Sequence, residues 1–133
     1  MNANEVLANV NSLLETMPKK GYRISDVFEE LGIFDWWNEN LGKTQLKQMK
    51  SFLEKAISLG FTGYVCFKVG ASGCSHGMWA CKNESTTGYS PDGACLFHSF
   101  RNGDNYWGYC DENNKWVNDD LTWKEIKEIV KGA

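Results

Sequence analysis

A chain of 133 residues has the size of one ordinary domain, and 42% hydrophobic residues suffice for a core without disulfide or metal staples. Net charge is −3 and dispersed: seven basic and eight acidic residues fall in 1–60, four and five in 61–115, and three and four in 116–133. The absence of a basic stripe disfavours a nucleic-acid partner, and no apolar run approaches the roughly 18 residues that a membrane span needs.

The opening residues Met1-Asn2-Ala3-Asn4-Glu5 carry neither a positive region nor an apolar run, so no secretion signal is expected. Five cysteines stand at positions 66, 74, 81, 95 and 110. Their number is odd, their gaps are wide and no C-x-x-C occurs, which reads as reduced thiols in a cytoplasmic protein. Without secretion, the sequon Asn83-Glu84-Ser85 is expected to be inert.

In chain order, Val6, Leu7, Val10, Leu13, Leu14 and Met17 recur at helical spacing, which predicts a helix over 3–17 that Pro18 stops. Lys19-Lys20-Gly21 reads as a turn. Ser25 is the expected N-cap of a short helix through Val27, Phe28 and Leu31, ended by Gly32. Phe34 to Leu41 reads as a further turn or two of helix closed by Gly42. Thr44 then caps a helix over 45–59 with Leu46, Met49, Phe52 or Leu53, Ala56 and Ile57 inward and Gly60 at its C-terminal end.

At Phe61 the rhythm changes from 3.6 toward 2. Val65, Phe67 and Val69 alternate with Tyr64, Cys66 and Lys68. After the loop 70–77, strands are expected at Met78–Lys82, Ala94–Phe100, Tyr106–Cys110 and Lys115–Val117. Ser90-Pro91-Asp92-Gly93 and Asn102-Gly103 supply turns between them. Thr122 and Glu125 have capping-box spacing, and Leu121 and Ile126 staple spacing, at the head of a last helix over 122–131. Helices, then short strands joined by tight turns, then one helix predict an α+β class. The expected form is an antiparallel meander of four to five strands, about 61–117, packed on N-terminal helices and one C-terminal helix in a single domain, 1–133.

No stretch carries a known catalytic or cofactor signature, and no cofactor is expected. Ser72, Gly73, Cys74 and His76 lie in the Gly-rich 70–77 loop, which follows a strand and suits a small-molecule or nucleotide site. It matches neither phosphate-loop pattern, and a plain strand connection explains it as well. Cys74 with His76 or His98 offers a thiol nucleophile and base, although a loop thiol beside a solvated imidazole is the plainer reading. Zinc would need a third and fourth ligand from Cys81, Cys95 or Cys110, which also read as small buried hydrophobes. The adjacent carboxylates Glu29-Glu30, Asp111-Glu112 and Asp119-Asp120 fit solvated faces and turns better than acid–base pairs.

Six Trp, five Tyr and seven Phe are many for this length. Trp36 and Trp37 are neighbours on an expected helix, so their side chains diverge by about 100° and cannot share one buried stripe. With Phe34, and with Tyr89 in a polar loop, they are the expected anchors for a partner. These features favour a non-catalytic protein that binds another protein, of inhibitor or adaptor type. One specific form is a phage or mobile-element protein that blocks a host defence enzyme. Small-molecule binding through the 70–77 loop is the second reading, and a cysteine-dependent hydrolase the third. Oligomeric state is not legible.

Overall fold

The computed structural model describes residues 2–31, 40–68, 77–84, 93–99, 106–113 and 115–132. These residues form, in chain order, α1 (Ala3–Glu15), β1 (Tyr22–Arg23), α2 (Ile24–Leu31), β2 (Asn40–Leu41), α3 (Lys43–Ser58), β3 (Val65–Lys68), β4 (Gly77–Cys81), β5 (Cys95–Ser99), β6 (Tyr106–Cys110), β7 (Trp116–Leu121) and α4 (Trp123–Gly132). The fold is α+β. Strands β3 to β7 make one antiparallel meander in which each strand pairs with the next in sequence, and β1 and β2 form a separate antiparallel pair. No described helix is long and apolar enough to cross a membrane.

Local chemistry sets most helix ends. At α1 the Asn2 side chain accepts from the Glu5 N–H at 2.9 Å, and the Glu5 carboxylate accepts from the Asn2 N–H at 3.1 Å. Two backbone donors that a helix start leaves unpaired are thereby satisfied. Thr122 and Glu125 repeat the arrangement at α4, as their spacing predicts. Helix α3 ends on Gly60, whose φ of +90° is the left-handed conformation that glycine adopts without strain. The Gly60 N–H donates to the Ile57 carbonyl and the Phe61 N–H to the Ala56 carbonyl, the paired bonds of a Schellman turn. That turn delivers Phe61, fully buried, into the core just before the sheet begins.

The core lies between the helices and one face of the sheet. Val6 and Val10 of α1, Leu46, Met49, Phe52, Leu53 and Ala56 of α3, and Ile126 of α4 pack against Val65, Phe67, Met78, Ala80, Leu96, Trp107 and Tyr109. Helix α1 lies along α3, and α4 covers β6 and β7. Each large apolar side chain buried this way contributes about 1.5–3 kcal/mol relative to leaving it in water.

Several sequence expectations are corrected. Helix α1 stops at Glu15, not Met17. Ser25 falls inside α2, which begins at Ile24, so it does not cap that helix. Leu41, expected in a helix, pairs as a strand with Tyr22. That pairing places Gly42, in extended backbone, as the N-cap of α3 in place of Thr44, and the Gln45 side chain accepts from the Gly42 N–H at 3.0 Å. The expected third strand begins at Cys95 rather than Ala94, its expected end Phe100 lies outside the described residues, and the fifth strand runs on to Leu121.

Candidate functional site

The anchors expected from sequence, Phe34, Trp36, Trp37 and Tyr89, lie outside the described residues, as do Ser72, Gly73, Cys74 and His76 of the loop. What the structure does bring together is the face of the sheet turned away from the helices. Side chains alternate across a strand, so Val65, Phe67, Met78, Ala80, Leu96, Trp107 and Tyr109 take the helix side. Tyr64, Cys66, Trp79, Cys81, Cys95, Phe97 and Cys110 take the other. An antiparallel sheet packed on one face ordinarily turns polar residues outward. Here, among the described side chains of that face, the residues are aromatic or thiol and none is charged.

The rings come from β4 and β5. Trp79 and Phe97 stand directly opposite each other, with centroids 4.7 Å apart and planes inclined by 39°. Gly77 makes room for this pair, because a Cβ there would run into the Phe97 ring. On β6 the residue opposite Phe97 is Gly108. Phe97 is buried, while Trp79, Tyr64 and Cys66 are half-buried and form the accessible part of the face among the described side chains.

Beside the rings runs a row of three thiols. Cys81 pairs with Cys95, and Cys95 with Cys110, across three adjacent strands. All three are buried free thiols, with Tyr64 packed over them. The Cys81 and Cys95 sulfurs are 2.8 Å apart, and the Cys95 sulfur lies 3.6 Å from the Gly93 carbonyl, to which it donates. The hydrogen bond to Cys95, then burial and the neighbouring thiols, push the Cys81 thiol far up; the same bond holds Cys95 below its ordinary value against the opposing effect of burial. Burial, then the charges of Cys95 and Asp111, push Cys110 up. Within the trio, Cys95 is the one whose thiol is held down rather than pushed up.

His98, weighed as a base for a cysteine, lies on the opposite face. It pairs in register with Met78 and Trp107 and stacks on the Trp107 ring at 4.2 Å. The thiol row thus has no imidazole beside it among the described residues. Nor do three or more His, Cys, Asp or Glu side chains converge as metal ligands there. Phe67, Trp107 and Tyr109 are buried against the helices, and the Lys82 ammonium sits over Phe61, 5.9 Å from its ring centre.

Sequence reasoning read Cys81, Cys95 and Cys110 as strand thiols but missed their alignment. The signal was present: in a meander, the end of one strand faces the start of the next, and these cysteines occupy an end, a start and an end. Compared with known protein families, curated proteins and solved structures, the chain matches none.

Proposed function

We propose that this chain is a non-catalytic binding protein, of inhibitor or adaptor type, whose partner is another protein and whose recognition surface includes the outer face of the sheet. The supporting observation is the make-up of that face: half-buried Trp79 and Tyr64 beside buried Phe97 and thiols, with no described charge. Tryptophan and tyrosine on a rigid sheet give a large contact area for little lost side-chain freedom, and they dominate interface energetics. The described side chains of this face are poorly matched to phosphates, whereas an apolar patch on a protein complements them. Unpaired Cys81, Cys95 and Cys110 suit a reducing compartment such as the cytoplasm. A phage or mobile-element inhibitor that occludes a host enzyme is one specific form of this reading.

The test uses the full chain as bait, followed by affinity measurement with the purified captured protein. Trp79→Ala is expected to weaken binding about thirtyfold, the effect of losing a hot spot worth about 2 kcal/mol. Glu128→Ala, on the exposed side of α4, is expected to leave binding unchanged. Trp36→Ala and Trp37→Ala report whether the surface extends to the residues expected from sequence. Capture that a nuclease abolishes, or a partner indifferent to all three tryptophans, overturns the reading.

A further inference from the structure

Cys81 and Cys95 meet in a backbone geometry that selects one thiol pair from the row. The Cys81 N–H donates to the Tyr64 carbonyl at 2.8 Å, and the Cys81 carbonyl accepts from the Gly63 N–H at 2.8 Å. Both of its backbone groups therefore point toward β3 and away from β5. On the β5 side the ladder bond falls one residue later, from the Lys82 N–H to the Ala94 carbonyl at 3.0 Å. Cys81 and Cys95 are thus a non-hydrogen-bonded cross-strand pair, the type in which facing residues stand closest, with Cα atoms about 4.5 Å apart. That spacing lies within the range a disulfide spans without backbone movement. Alternation along β5 makes Cys95 and Cys110 the wider, hydrogen-bonded kind of pair, with Cα atoms about 5.5 Å apart.

We propose that Cys81 and Cys95 form a redox-modification site, a dithiol that hydrogen peroxide converts to a disulfide joining β4 to β5. Hydrogen peroxide is close to water in size and suits a site in which Cys95 is 5% exposed and Cys81 fully buried. Cys95, as thiolate, attacks one peroxide oxygen; the O–O bond breaks and the departing hydroxide takes up the proton Cys95 released, leaving a sulfenic acid and one water. The Cys81 sulfur then attacks the Cys95 sulfur. An S–S bond forms, the S–O bond breaks, and the hydroxide leaves with the Cys81 proton as a second water. Two thiols have lost two electrons and two protons, and one peroxide has become two waters. Cys95 is the first nucleophile because it is the one of the pair that solvent reaches, 5% exposed against none for Cys81. The inference is independent of the proposed partner.

Trypsin separates the cysteines cleanly, with Cys66 in 56–68, Cys74 and Cys81 in 69–82, Cys95 in 83–101 and Cys110 in 102–115. The experiment treats the full chain, and a variant carrying Cys66→Ser, Cys74→Ser and Cys110→Ser, with hydrogen peroxide. Remaining thiols are alkylated in denaturant, and digests are mapped by mass spectrometry without reductant. In both proteins the expected product is peptide 69–82 linked to 83–101, lighter by two hydrogens and separated by a dithiol reductant. In the wild-type chain, fragmentation within 69–82 is expected to place the link on Cys81 and not Cys74. Circular dichroism checks that the triple variant is folded; if it is not, the wild-type link decides. Full alkylation of both thiols, their oxidation to sulfinic or sulfonic acid without a link, or a wild-type link from 83–101 to 102–115 or to Cys74 overturns the proposal.

Discussion

Phe52 sits on α3 with its ring stacked 5.8 Å from Trp107 and 6.4 Å from His98. Trp107 in turn meets Trp123 of α4 at 4.7 Å, and the Lys55 ammonium lies 5.7 Å from the Trp107 ring centre and 5.6 Å from that of Trp123. One ring thus ties α3 to the sheet and, through Trp107, to α4. Phe52→Ala is expected to cost about 3–5 kcal/mol, lost burial plus a cavity, which is a large share of a stability of about 5–15 kcal/mol. Urea unfolding followed by tryptophan fluorescence would measure it. The sequence left open whether Phe52 or Leu53 faces the core. Both do, because α3 is packed on two sides, by α1 and by the sheet, so residues about 100° apart each find a buried neighbour.

The helix ends show which element boundaries local chemistry controls. Asn2→Ala removes the α1 cap and is expected to cost about 1 kcal/mol, read as a lower melting temperature. At α4 the bonds from the Thr122 backbone and side chain hold the Glu125 carboxyl below its ordinary value. A carboxyl depressed in the folded state contributes stability above the ordinary glutamate value, about 4.3, and that contribution is lost as pH falls through the lower folded-state value. Glu125→Gln keeps the capping geometry without the charge. Its stability relative to wild type should therefore improve as the medium is acidified below that range, in parallel chemical-denaturation series. The cap of α3 was not legible from local chemistry alone. Thr44 has the right side chain, but β1 pairing with β2 holds Leu41 in a strand and starts the helix directly after Gly42. A contact between residues distant in sequence overrode a local preference.

Across the whole molecule, α4 closes the core over the last two strands. Ile126 is fully buried, and Trp123 packs on Trp107 next to buried Leu121. A chain truncated after Leu121 would expose those apolar surfaces together. It is expected to lose its cooperative thermal transition, monitored by circular dichroism, while Lys131→Ala, on the exposed end of the helix, leaves the transition in place.

The types of element and their order were legible because side-chain period separates helix from strand, and the switch near Phe61 divides the chain between them. Capping spacing at Thr122 and the glycine at position 60 were legible for the same reason: each acts on atoms within a few residues. Which face of the sheet meets the helices was decided only by the tertiary structure. Val65, Phe67 and Val69 alternate with Tyr64, Cys66 and Lys68; Lys68 hints at the outer set, but the ring and the thiol beside it suit a core as well, so alternation defined two faces and ranked them only weakly. Strand register decided the rest. It set Trp79 against Phe97 and aligned Cys81, Cys95 and Cys110, residues that stand 14 and 15 positions apart along the chain and become neighbours only when the meander folds.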